Sequence, residues 1–288
     1  MTEKNFENLP PALQEKLNQC QELLRRLRRV VVAFSGGVDS TFLLALAVRA
    51  LGAEHVTAAM GVSPSLPARQ RREARELAQG IGAKLTEVET CEMKDDRFTA
   101  NPPQRCFYCK SDLFTRLQSL CEGPPAATLI SGANADDLGD FRPGLQAGTT
   151  LGVRNPLMEA RLTKQDIRDA SRAMGLATWD KPAMACLASR VPYGQPITKT
   201  KLSRIEQAEY ALHDMGFLQC RVRDHDTVAR IELPSTDFEC ALARRQQIVT
   251  EFKALGYTYV AMDLQGFRSG SMNETLPSGS AGGIQKPK

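Results

Sequence analysis

Apolar residues recur at helical spacing near the start of the chain, at Leu13, Leu17, Leu24 and Leu27, and predict an N-terminal helix over Leu13–Arg29. A continuous run of β-branched and apolar residues follows, Val30 to Phe34, the pattern of a strand buried on both faces. The two patterns then alternate. Helices are expected over Asp39–Leu51, Ala68–Ile81 and Lys110–Leu120, and strands over His55–Met60, Lys84–Val88 and Thr128–Ser131. Strands separated by helices at this spacing predict an α/β fold, a parallel sheet with helices on both faces. Ligands of such sheets bind beyond the carboxyl ends of the strands.

The pattern changes after Pro192-Tyr-Gly-Gln-Pro196. A helix over Lys201–Met215, strands over Gln219–Arg223 and Val228–Leu233, a helix over Asp237–Leu255 and a strand over Tyr257–Asp263 predict a smaller α+β domain. The expected division is 1–195 for the parallel-sheet domain and 196–272 for the α+β domain, with the Pro/Gly-rich stretch as linker. The Ser, Gly, Pro and Lys of 273–288 read as a disordered tail.

Composition narrows the class. With 42% hydrophobic and 24% charged residues over 288 positions, the chain has the make-up of a soluble globular protein. No apolar run approaches the ~20 residues of a membrane helix, and the polar start is unlike a signal peptide, so the expected location is the cytoplasm. A formal charge of +4 is modest for this length and argues against a nucleic-acid partner; the arginines of 25–29 and 69–72 read as solvated helix faces. Eight cysteines in a cytoplasmic chain point to metal or sulfur chemistry in place of a disulfide framework.

The first strand delivers the chain into Ser35-Gly36-Gly37-Val38-Asp39-Ser40, directly before a helix. Glycines there let backbone approach a ligand, and the unpaired N–H groups of a helix start suit phosphate. The lysine of a G-x-x-x-x-G-K loop is missing. The segment instead resembles the PP-loop of ATP pyrophosphatases, which split ATP between the α and β phosphates and pass AMP to an acceptor. That resemblance assigns ATP binding to Ser35, Gly36, Gly37, Asp39 and Ser40. A second small-residue turn, Gly132-Ala-Asn-Ala-Asp136-Asp137, follows the fourth strand and is expected at the same sheet edge, where its carboxylates, Asp136 above all, suit Mg²⁺. An Asx turn capping a helix is the structural alternative.

Cys106 and Cys109 form a C-x-x-C at the expected start of a helix, a spacing open to zinc, redox chemistry or an iron–sulfur cluster. Cys186, in Lys181-Pro-Ala-Met-Ala-Cys186-Leu-Ala-Ser-Arg190, would make a third thiolate. Three thiolates without a fourth suit a [4Fe-4S] cluster with one iron open to added sulfide better than a closed structural zinc site. Cys20, Cys91, Cys121, Cys220 and Cys240 read as small hydrophobes.

These segments together resemble a family, the LarE sulfur transferases of nickel-pincer nucleotide biosynthesis. The residues that carry the resemblance are Ser35 to Ser40, Arg105-Cys-Phe-Tyr-Cys-Lys110, Ser131 to Asp137, Asp140-Phe-Arg-Pro-Gly144, Lys181 to Gly194, Arg221-Val-Arg223, Ala229-Arg-Ile-Glu232 and Gly266 to Asn273. The resemblance implies a Rossmann-like PP-loop domain and ATP-dependent thiolation of pyridinium-3,5-biscarboxylic acid mononucleotide, releasing AMP and pyrophosphate. It also implies a homo-oligomer. Members with one matching cysteine surrender its sulfur, whereas members with three are associated with a [4Fe-4S] cluster; Cys106, Cys109 and Cys186 put this chain with the latter, with Cys186 as the catalytic sulfur residue. Arg221, Arg223 and Arg268 are the expected cradle for the substrate phosphate, because guanidinium forks match phosphate oxygens. A PP-loop tRNA thiolase and sacrificial transfer from Cys186 are the competing readings.

Overall fold

The computed structural model describes residues 6–139, 143–182, 185–268, 271 and 274. In chain order its elements are α1 (Pro11–Leu27), β1 (Val30–Ala33), α2 (Val38–Leu51), β2 (Val56–Val62), α3 (Ala68–Ile81), β3 (Lys84–Glu89), α4 (Asp96–Thr99) and α5 (Arg105–Gln118). They continue with β4 (Thr128–Ile130), α6 (Pro143–Thr150), α7 (Pro156–Glu159), α8 (Lys164–Ala173), α9 (Lys199–Asp214), β5 (Arg221–His225), β6 (Val228–Glu232), α10 (Phe238–Ala243), α11 (Arg245–Ala254) and β7 (Tyr259–Met262). The chain forms two compact units. One holds the residues up to Ser63, Ala68–Glu92 and 106–184; the other holds Pro64–Pro67, Met93–Arg105 and the chain from Ala185 onward.

The first unit is built on a four-stranded sheet in the order β3-β2-β1-β4, parallel throughout. Val30 is aligned with Val56 on one side and Thr128 on the other, so β1 is the central strand and its valines are buried. Alternation along a strand sends Val31 to one face and Val30 and Val32 to the other. Phe114 and Leu117 of α5 cover Val31, Ala59 and Leu129. Helix α2 packs against β1 and β2 and is buried from Phe42 to Ala47, which explains its nearly unbroken apolar sequence.

The second unit carries a three-stranded sheet, β5-β6-β7, with β5 and β6 antiparallel and β6 and β7 parallel. Its core joins Leu212 of α9 and Phe252 of α11 to Val222, Ala229 and Ile231 of the sheet. The expected helix over Asp237–Leu255 is two helices meeting at Arg244, whose backbone leaves helical geometry (φ −95°, ψ 11°). Residues 185–195, which the sequence pattern groups with the parallel-sheet domain, belong to this second unit. So does Asn101, whose buried amide donates to the carbonyls of Val191, Pro192 and Gln195 at 3.1, 2.7 and 3.1 Å and ties the segment before α5 to this stretch.

Three helices, α6, α7 and α8, occupy 143–173, where the apolar pattern predicts none. Helix α5 begins one turn earlier than expected, which puts Cys106 and Cys109 on the helix itself. Asp140, Phe141, Arg142, Ala183, Met184, Ser269, Gly270, Met272, Asn273 and the expected disordered tail from 275 lie outside the described residues. Among the described residues, no helix is long and apolar enough to cross a membrane.

Candidate nucleotide site and sulfur residues

The turn between β1 and α2 has the geometry its glycines allow. Gly36 has φ +71°, and a Cβ there would stand 3.1 Å from Cβ of Ala74, so only glycine fits without strain and displacement. Gly37 is the N-cap of α2 and has no side chain to cap it. The first N–H groups of the helix therefore lack a capping side chain and carry the positive end of its dipole. Ser40 closes the turn from the helix side: its Oγ accepts from Ser35 N at 3.2 Å, lies 3.0 Å from Ser35 Oγ and donates to Gly37 O at 3.2 Å.

The second turn does meet the first. A Cβ on Gly132 would stand 3.0 Å from Ser40 N and 3.1 Å from the Asp39 carbonyl carbon, so glycine permits the exit of β4 to press against the first turn of α2. Asn134 Nδ2 reaches Asp39 Oδ1 at 3.4 Å. The two aspartates of this turn have different duties. Asp137 is buried and its Oδ2 accepts from Asn134 N at 3.0 Å, while the Asx turn is made by Asn134, whose Oδ1 accepts from Asp136 N at 3.0 Å. Asp136 is exposed and its Oδ2 accepts from Lys164 N, 2.8 Å away, at the start of α8.

Lys164 also reaches the first turn, its Nζ 2.6 Å from Asp39 Oδ2. It is aimed there by a capping box: Thr163 Oγ1 accepts from Asp166 N at 3.1 Å while Asp166 Oδ2 accepts from Thr163 N at 3.0 Å. The carboxylates of Asp39 and Asp136 are thus both engaged by Lys164, one through the side chain and one through the backbone. Carboxylate oxygens of this kind fit Mg²⁺, a hard cation that prefers oxygen. Lys181 adds a second cation, its Nζ 3.3 Å from Gly36 O and 3.0 Å from Glu73 Oε2. Burial opposes ionisation of Glu73, but hydrogen bonds and charge from Lys181 and Arg69 outweigh it and hold the carboxyl below its usual range.

The expected sulfur residues are accessible. Cys106 and Cys109 sit one helical turn apart in the first unit, the former exposed and the latter half-buried; Cys186 is exposed in the second unit. Among the described residues, no group of three or more His, Cys, Asp or Glu side chains is arranged to hold a metal ion. Cys20 and Cys220 are buried, and burial pushes both thiols up to about 12, which suits inert core positions.

The backbone around Cys186 is gripped from inside its own unit. Arg190 is buried and its Nη1 donates to the carbonyls of Ala185 and Cys186 at 2.6 and 2.9 Å. Its Nε and Nη2 each lie 2.9 Å from an oxygen of Glu209, whose Oε1 also accepts from Val222 N. Arg223, expected to bind phosphate, is engaged in the same structural task. It forks onto Glu232 at 3.0 and 2.7 Å, donates to Ser271 Oγ at 3.0 Å and holds Ser189 O at 2.8 Å. A buried guanidinium needs such partners, and they take four of its five N–H groups.

Arg221 Nη1 donates to Cys220 O at 2.8 Å. Arg221 lies over the Phe267 ring at 5.3 Å, and burial, then the neighbouring Arg190 charge, lowers its affinity for its proton, the condition of a cation that an anion would relieve. Arg268 is paired with Glu274 at 3.2 Å near the surface.

Residues 9–105 match the family model described as NAD synthase. The chain is 41% identical over 266 residues to an uncharacterized protein of Synechocystis, covering 92% of this chain and 99% of that one. It is 37% identical over 253 residues to the pyridinium-3,5-bisthiocarboxylic acid mononucleotide synthase of Lactiplantibacillus plantarum, covering 88% of this chain and 92% of the relative. The chain belongs to the LarE family of sulfur transferases. It is accordingly an ATP-dependent enzyme with a PP-loop domain, and ATP and Mg²⁺ are the cofactors this class requires. An uncharacterized protein of Methanocaldococcus jannaschii is 26% identical over 242 residues.

The motifs pointed to the glycine turn, the Asp136-Asp137 turn and the sulfur residues. They did not assign Lys164, Lys181, Arg190, Glu209 or Glu232. The Thr163-x-x-Asp166 spacing was a usable signal for the start of α8, and hence for Lys164.

Proposed function

We propose that this protein converts the carboxylates of pyridinium-3,5-biscarboxylic acid mononucleotide to thiocarboxylates at the expense of ATP. The observation that carries this reading is the glycine turn at the carboxyl end of β1, joined by Asp39, Asn134 and Lys164 into one phosphate-binding edge, in a chain closely similar to a named synthase of that product. A carboxylate is a poor acyl donor because oxide would have to leave. Its oxygen therefore attacks the α-phosphorus of ATP, the α–β bridging P–O bond breaks and pyrophosphate departs. The N–H groups at the start of α2 stabilise that charge, and Asp39 and Asp136 would hold the Mg²⁺ that adds positive charge there. Sulfur then attacks the acyl carbon and AMP leaves with the former carboxylate oxygen.

Cys186 is the residue we assign to sulfur delivery, with Cys106 and Cys109 as further ligands of a [4Fe-4S] cluster. The support is chemical: three accessible thiols with no assigned fourth. Such a cluster would supply the sulfur and leave Cys186 its own. Arg221 and Arg268 are the proposed phosphate ligands of the substrate, and a homo-oligomer in the cytoplasm is the proposed working form. Adenylation is assigned to the parallel-sheet unit and substrate binding to the unit that holds the chain from Ala185 onward.

The deciding experiment supplies the dicarboxylate mononucleotide, ATP and Mg²⁺ to anaerobically reconstituted protein. Substrate-dependent pyrophosphate release with oxygen-to-sulfur exchange in the product is the expected result. Pyrophosphate release that ignores the substrate would overturn it. Counts of iron and acid-labile sulfide test the cluster, and a single turnover with loss of one sulfur from Cys186 would replace it by sacrificial transfer.

A further inference from the structure

A triphosphate brings several negative charges to a turn that contains no basic residue, because the lysine of a G-x-x-x-x-G-K loop is absent. One helix start offsets only about half a charge. The fold brings two ammonium groups to the turn from elsewhere in the same unit. Lys164 arrives from the first position of α8 and stands 2.6 Å from Asp39; Lys181 arrives from the segment beyond α8 and stands 3.3 Å from Gly36 O.

Each ammonium is held by a carboxylate that has a second partner. Asp39 also receives Asn134, and Glu73 also receives Arg69 at 3.1 Å. Losing the lysine therefore leaves neither carboxylate alone. Lys181 lines a groove of about 540 Å³ that it shares with Thr41, Glu73 and Met174, so its side chain has room to swing away from Glu73. A polyphosphate oxygen is a stronger partner for an ammonium than a single carboxylate, since its neighbours share the field.

We infer that Lys164 and Lys181 are the phosphate-binding cations of this turn, stored on Asp39 and Glu73 and transferred to phosphate oxygens when ATP enters. The inference rests on the reading of the turn as an ATP site. Transfer of Lys164 releases Asp39 for Mg²⁺, so nucleotide and metal load together. Glu73 competes with ATP for Lys181, a role that no structural duty of the pair would produce.

Calorimetric titration of the full chain with ATP and with AMP, without the acceptor, tests this apart from turnover. Lys164→Gln and Lys181→Gln are each expected to weaken ATP about tenfold or more while AMP changes by less than about threefold. Glu73→Gln is expected to tighten ATP severalfold, and Lys164→Arg to retain binding. Unchanged ATP affinity in the glutamine variants, equal losses for ATP and AMP, or weaker ATP binding by Glu73→Gln would each overturn the inference. A wild-type chain that binds neither nucleotide would overturn the ATP reading itself.

Discussion

Arg223 and Glu232 form a two-pronged ion pair across β5 and β6, with Nε to Oε1 at 3.0 Å and Nη2 to Oε2 at 2.7 Å, both side chains buried. Removing Arg223 takes two hydrogen bonds from the buried Glu232 carboxylate and leaves it Arg230, 3.2 Å away, as a partner. Arg223→Leu is therefore expected to cost about 3 kcal/mol of folding stability, the low end for a broken buried pair, and adding Glu232→Leu to recover part of that loss. Urea denaturation of the single and double variants measures both values.

Ser40 and Asp39 serve the glycine turn in different ways, and their variants should separate. Ser40→Ala removes the hydroxyl that closes the turn, whereas Asp39→Ala removes the carboxylate assigned to the cation. Each is expected to lower substrate-dependent pyrophosphate release at least about a hundredfold with the fold intact. Raising Mg²⁺ should recover neither. A pyrophosphate assay beside circular dichroism checks this.

Cys186 is exposed and takes no part in the core, so Cys186→Ala is expected to fold as the parent does. Thiocarboxylate formation should stop while pyrophosphate is still released, giving an uncoupled enzyme. Product mass spectrometry and a pyrophosphate assay on the same sample read the two halves of the reaction separately.

Glu87 anchors two arginines of α3, with Arg71 and Arg75 each donating to its carboxylate through two nitrogens. Hydrogen bonds from Arg71 and then Arg75 lower its folded-state value from 4.5 to about 2. A depressed carboxylate contributes its stability above its unfolded value and loses it as pH falls toward its folded one. Melting temperature should therefore drop between pH 4.5 and 2, and Glu87→Gln should flatten that part of the profile.

Thr163 caps α8 and thereby sets Lys164. Thr163→Ala is expected to cost about 1 kcal/mol. It should also weaken ATP binding less than Lys164→Gln does, because the lysine remains. Thermal melting and nucleotide titration on the same preparation compare the two.

What could be read from the sequence was what neighbours along the chain decide. The valines of β1 and the glycines of the turn lie within a dozen residues, and the structure has the strand and the turn where the pattern put them. The cut of the C-terminal helix at Arg244 was invisible because apolar residues continue on both sides of it. The partners of Arg223 were out of reach for a different reason. Arg221 and Arg223 do share a face, but the register that sets Arg223 opposite Arg230 and diagonal to Glu232 depends on how two strands align. Lys164 and Asp39 are 125 residues apart, and no local pattern announces a contact between the starts of two helices so distant along the chain.

The arginine that clasps the carbonyls of Ala185 and Cys186 leaves the sulfur outside its grasp. Main chain and the sulfur proposed to react are thereby decoupled: for any change at Sγ, by addition, loss or replacement, the peptide beneath it stays moored through Arg190 to Glu209. Such a residue can be spent or recharged as a local event, and the rest of the molecule need not register that it happened.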